Sequence, residues 1–115
     1  MKIFSSLSSL DQIRGSPLGP MLREIVIRML GHFEYSLEDD GFVVLIEEGD
    51  VDRVLTDLRL PYRLCEMPFE AVHMQENYFC GVYLANNQFA ITFLIPDAPW
   101  LTPEVRAHLD DLMEK

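Results

Sequence analysis

Five consecutive apolar residues, Phe42-Val43-Val44-Leu45-Ile46, stand inside a segment that is otherwise acidic. A strand points successive side chains to opposite faces, so a run with no polar member is apolar on both. Such a strand belongs in the middle of a sheet, covered on each side. Between Glu34 and Asp57 the segment holds nine acids (Glu34, Glu38, Asp39, Asp40, Glu47, Glu48, Asp50, Asp52, Asp57) and one base, Arg53, a local balance of −8 in a chain of net charge −10. Acids arranged around a strand of this kind rim a folded element. A disordered acidic tail has no apolar run to bury.

With 115 residues, 49% of them hydrophobic, the chain fills one core and is expected to form a single domain over residues 1–115. The nine Lys and Arg residues are scattered singly from Lys2 to Lys115. Nucleic-acid binding depends on clustered bases that displace condensed counterions, so no nucleic-acid partner is expected, and an anionic membrane surface is disfavoured for the same reason. No segment has the length of a membrane span, and the first ten residues carry one positive charge without a continuous apolar stretch, so no secretory signal is expected. Cys65 and Cys80, in a chain with a good core, read as reduced thiols of a cytoplasmic protein.

Residues 1–19, rich in Ser with Gly15, Pro17 and Gly19, read as a loosely structured segment with room for a short strand or one helical turn. From Pro20, the spacing of Leu22, Ile25, Val26, Met29 and Leu30 predicts a helix with Glu24 and Arg28 paired on its outer face and Gly31 as its C-terminal cap. Phe33–Leu37 and Gly41–Glu48, separated by Glu38-Asp39-Asp40, predict a β-hairpin. Asp50 is placed to cap a short helix with Val51, Val54, Leu55 and Leu58 on one face, ended by Pro61. Strands follow at Tyr62–Glu66, Phe69–Met74, Tyr78–Leu84 and Phe89–Ile95.

Asn86-Asn87 suits a two-residue hairpin turn, which would pair Leu84 with Phe89, Val82 with Ile91 and Cys80 with Phe93. That register sets Tyr78, Cys80, Val82, Leu84, Phe89, Ile91, Phe93 and Ile95 on one face. The other face, with Phe79, Gly81, Tyr83, Ala90, Thr92 and Leu94, is too apolar to stay open to water. A helix of the same chain, a homodimer partner, or a small-molecule pocket or foreign partner would cover it. Finally, Thr102-Pro103-Glu104 opens a helix that buries Val105, Leu109, Leu112 and Met113. The expected fold is α+β: an antiparallel-rich sheet of about five strands, helices mainly on one face, in the order α-β-β-α-β-β-β-α.

Catalytic signatures are sparse. Ser36, Glu38, Asp40, Gly41 and Glu47 match EF-hand loop positions 1, 3, 5, 6 and 12, but Val44 stands at position 9, and Gly49 interrupts the helix that should follow. Cys65, His73 and Cys80 match no common zinc spacing, and a buried cysteine defaults to a small hydrophobe. His108, one turn beyond Glu104, reads as a solvated pair with it. No phosphate-binding glycine loop or nucleophile elbow is present, and no metal or cofactor is expected.

The leading expectation is a non-enzymatic acidic interaction module, in the manner of a chaperone, inhibitor or mimic. It would be a homodimer that binds a basic protein partner through Glu34, Glu38, Asp39, Asp40, Glu47 and Glu48, because opposite potentials speed encounter and select register. The alternative is a small-molecule binder or small enzyme with an aromatic pocket between sheet and helices, lined by Tyr78, Tyr83, Phe93 and Trp100 with His73 or Cys65 as the polar group.

Overall fold

The computed structural model describes residues 2–4, 19–35, 41–52, 63–75, 77–85 and 89–114. In chain order these form strand β1 (Lys2–Phe4), helix α1 (Gly19–His32), strand β2 (Gly41–Leu45), a 3-10 turn (Leu64–Glu66), strands β3 (Ala71–Gln75), β4 (Tyr78–Ala85) and β5 (Phe89–Pro96), and helix α2 (Pro103–Met113). The five strands make one mixed sheet in the order β1-β2-β5-β4-β3. The chain is thus a single compact α+β domain, and its radius of gyration of 13.0 Å is that of a compact chain of this length.

The apolar run sits where its two-faced character requires. β2 lies between β1 and β5, and Val43, Val44 and Ile46 are fully buried. Its neighbours, however, are not those of a hairpin. Phe33 and Glu34 form a turn, β1 pairs antiparallel with β2, and β2 pairs parallel with β5, Val44 opposite Phe93. A parallel pair buried on both faces favours continuous apolar strands, and β5 is fully buried from Ala90 to Ile95. Residues 36–40, the end of the expected first strand and the expected turn Glu38-Asp39-Asp40, lie outside the described residues, as do residues 53–62 and most of the short helix expected there. The strand expected at Tyr62–Glu66 is replaced over its described part by Arg63 and the 3-10 turn.

β3, β4 and β5 form where alternation and turn residues place them, but β4 and β5 are offset by one residue from the two-residue-turn register. Ala85 pairs with Phe89, Val82 with Thr92 and Gly81 with Phe93, which leaves 86–88 between the paired strands. A slip of one residue exchanges the faces of one strand relative to the other. One face therefore carries Cys80, Val82, Ala90 and Leu94, packed with Val43, Phe4 and the α1 residues Val26, Met29 and Leu30. The opposite face carries Phe79, Ile91, Phe93 and Ile95, packed with Val44, Phe69, Leu101 and the α2 residues Val105 and Leu109. Helices thus lie on both faces, not mainly on one. The α+β class stands, but the uncovered sheet face that argued for a homodimer is absent, because α1 covers one side and α2 the other. Thr92, under α1, is the one fully buried side-chain hydroxyl among the described residues without a hydrogen-bond partner.

Both helices end as their chemistry dictates, with one exception. Thr102 caps α2, its Oγ1 accepting from the Val105 N–H (3.3 Å), with Pro103 at the first helical position. α1 runs through Gly31 instead of stopping at it. The left-handed position falls on Glu34 (φ 66°), where the Tyr35 N–H donates to the Leu30 carbonyl and the Glu34 N–H to that of Gly31, each at 3.0 Å. These are the two bonds of a Schellman cap, and Tyr35 joins Leu30 in the core beneath α1. A side chain at a left-handed position costs about 1 kcal/mol relative to glycine. Glu34→Gly is therefore expected to raise the urea-unfolding free energy by about 1 kcal/mol. An unchanged or lowered value would mean that Glu34 stabilises the cap by other contacts.

Candidate functional site

Because β2 and β5 run parallel, their C-terminal ends emerge on the same side of the sheet. β2 continues into a turn at Glu47–Asp50 with Gly49 at φ 98°, closed by the Asp50 N–H on the Glu47 carbonyl (3.1 Å) and the Glu47 N–H on Asp50 Oδ2 (2.8 Å). β5 continues through Asp97 and Trp100 to α2. Six acids gather along this end: Glu47, Glu48, Asp50, Asp52, Asp97 and Glu104. Two arginines stand among them. Arg63 reaches Asp52 (3.3 Å) and Glu104 (3.8 Å), and Arg106 pairs with Asp97 while donating to the Ala98 carbonyl (3.2 Å).

The six acids singled out from the sequence are thus divided by β2. Glu34 closes α1 before the strand, while Glu47 and Glu48 follow it; Glu38, Asp39 and Asp40 lie outside the described residues. Asp52, Asp97 and Glu104 were not anticipated at this site. Asp52 follows soon after Glu47 in the chain, whereas only the parallel pairing of β2 with β5 brings Asp97 and Glu104 to this end. The EF-hand arrangement fails where it can be seen, since Gly41–Leu45 is strand and not ion-binding loop. Among the described residues no three His, Cys, Asp or Glu side chains are gathered to hold a metal ion.

The sheet separates the aromatic set. Tyr78 packs at the α1 side and His73 shares that face, whereas Tyr83, Trp100 and Cys65 border the core on the α2 side and Phe93 lies within it. These six line no common cavity. His73 is directly cross-strand from Cys80, but Cys80 is fully buried, and burial pushes its thiol up to about 12. Cys65, half-buried, is also raised, first by burial and then by a hydrogen bond with Glu104. Both are free thiols held away from the reactive thiolate. His108 is not a solvated partner of Glu104. Its Nε2 lies 2.8 Å from the Met67 carbonyl, which only accepts, so Nε2 carries the proton and pins α2 to the segment before β3.

A second feature lies on the α1 side, at the opposite edge of the sheet from β1. A half-open groove of about 260 Å³ runs between α1 and β3, lined among the described residues by Ile25, Arg28, Met29, His32, Phe33, Ala71 and His73. Ala71 and His73 face α1 because their partners Val82 and Cys80 do. The His32 and Phe33 rings meet edge to face at 5.0 Å. From the sequence, His73 is assigned to a different pocket and His32 to the surface beyond the α1 cap. The available signal was β3 itself, Ala71-Val72-His73-Met74-Gln75, a strand with neither Lys nor Pro, the usual guards of a sheet edge.

Fold and surfaces define a small α+β protein with an acidic end and a separate groove beside an edge strand. No protein-family model, no curated protein and no solved structure matches the chain. No helix among the described residues is long and apolar enough to cross a membrane.

Proposed function

We propose that this protein is a non-enzymatic, cytoplasmic interaction module that binds a basic protein partner through the acidic end formed after β2 and β5. One observation carries this reading: six acids and two arginines share that end, to which the parallel pairing of two central strands brings the segments after β2 and β5. A fixed negative field of this kind steers a basic surface into contact and opposes acidic ones. Both thiols are raised and the His108 contact with the Met67 carbonyl is structural, which supports binding over catalysis. Chaperone, toxin-neutralising and nucleic-acid-mimicking roles all use such a surface.

The test is a titration with a synthetic Lys/Arg-rich peptide followed by NMR. Amide shifts are expected at Glu47–Asp52 and Asp97–Glu104, and the double variant Glu47→Lys, Glu48→Lys should weaken binding by about tenfold, ~1.4 kcal/mol. Reversal of Asp110 and Asp111, farther along α2, serves as the control. If that pair weakens binding as much as Glu47 and Glu48 do, attraction is diffuse and the acidic end is no site.

A further inference from the structure

We propose that β3 and the groove beside it receive an extended segment of another protein, which adds to the sheet as a further strand. The segment carries an apolar side chain that enters the groove and an acidic side chain two residues away. This uses none of the acids after β2 and β5, so it stands or falls separately from the reading above.

The first argument is the open edge. Among the described residues β3 is bonded on one side only, to β4. Two residues connect Gln75 to Tyr78, with Asn77 in the left-handed region (φ 70°), as a tight hairpin that closes on a hydrogen-bonded pair requires. Alternation from that pair directs the backbone groups of Gln75, His73 and Ala71 toward β4 and those of Val72 and Met74 outward. Among the described residues nothing bonds these outward groups. β1, at the other edge, is three residues long and begins with Lys2, a guarded edge. β3 is longer, contains no Lys, Arg, Asp or Glu, and leaves Met74 41% exposed.

The second argument is the groove. Ile25, Met29, Phe33 and Ala71 supply apolar walls, and the volume of about 260 Å³ takes one large side chain. Three nitrogen-bearing side chains, Arg28, His32 and His73, share the lining. The Arg28 guanidinium reaches Glu24 only at 3.8 Å, with both side chains 73% exposed, a contact of little strength that leaves it available. On a chain of net −10 the lining among the described residues holds one formal positive charge, that of Arg28, and no acid. An added strand sends residues i and i+2 to the same face about 7 Å apart, so an apolar residue in the groove brings its second neighbour to the rim. The rim favours an acid there.

The third argument concerns a second copy of this chain. Pairing β3 with β3 would bring two Arg28 guanidinium groups and two chains of −10 together. Charge therefore favours a foreign segment, bound by main-chain hydrogen bonds for affinity and by the groove for specificity.

The experiment uses the full-length protein and three synthetic peptides: an extended Thr-rich peptide with a central Phe-Thr-Glu, the same peptide with Phe-Thr-Lys, and the first with alternate backbone amides N-methylated. The expected result is amide shifts at Val72 and Met74, binding of the Glu peptide about tenfold tighter than the Lys peptide, and loss of binding on N-methylation. Arg28→Glu, at an exposed position, should abolish the preference for Glu without altering the melting temperature. Equal affinity for Glu and Lys, undiminished binding after N-methylation, shifts elsewhere on the molecule, or a dimer in sedimentation whose interface is β3 would each overturn the proposal.

Discussion

Gly81→Val is expected to lower the unfolding free energy by about 3 kcal/mol, the upper range for overpacking a core. Gly81 is buried in β4 opposite Phe93, and a Cβ built on it would meet the Phe69 ring at 2.9 Å (Cδ1), 3.0 Å (Cε1) and 3.2 Å (Cγ). Those atoms include the root of the ring, which cannot swing aside alone. Phe69 in turn packs edge to face on Phe93, with centroids 5.5 Å apart. The expected signature is non-additive: Gly81→Ala should cost about 1–2 kcal/mol in the native background and almost nothing in Phe69→Ala, where the space is already open. Urea unfolding of the four chains measures this. Equal costs in both backgrounds would show that Gly81 is needed for its backbone and not for the ring it admits.

Alkaline pH should destabilise the fold through Cys80. The thiol is fully buried and pushed up to about 12 from 9.0, so the folded form keeps its proton where the unfolded chain loses it. A raised acid contributes its full stability below the unfolded value and loses it as pH climbs toward the folded one, so the loss spans pH 9 to about 12. Within that window the slope is on the order of 1.4 kcal/mol per pH unit. Between pH 8 and 10.5, with reductant present, the native chain should lose about 2 kcal/mol more than Cys80→Ala. Lys and Tyr titrations occur in both proteins and cancel in the comparison. Parallel losses would mean that Cys80 ionises in the fold as it does in water.

Much of the local structure was legible before any coordinates. Thr102-Pro103-Glu104 specified the start of α2 because the cap hydroxyl, the proline and the acid each satisfy a local demand of a helix N-terminus. The run Phe42–Ile46 specified a central strand because every position is apolar. Where local chemistry offered two solutions, reading failed: Gly31 looked like the cap of α1, but the Tyr35 contact with the core draws the chain one turn further and leaves Glu34 in the left-handed position. The candidate site was only half visible. Glu47 and Glu48 were read as a surface, while Asp97 and Glu104 lie some fifty residues away and reach it only through the pairing of β2 with β5.

By itself, then, the sequence determined the class of fold, both helices, four of the five strand positions, and a chain whose excess acid surrounds a buried strand. Tertiary structure decided which strand lies beside β2, which face each helix covers, and the register of β4 on β5. The physical reason is the same in all three cases. Alternation selects a face only when one face is polar, and β2, β4 and β5 are apolar on nearly every residue, so local pattern is satisfied by either pairing, either side and either register. The choice falls to long-range packing, with Phe69 filling the space that Gly81 leaves before Phe93 and both apolar faces needing a helix. The same packing leaves β3 at the edge with its groove, a surface that no single segment of the chain contains.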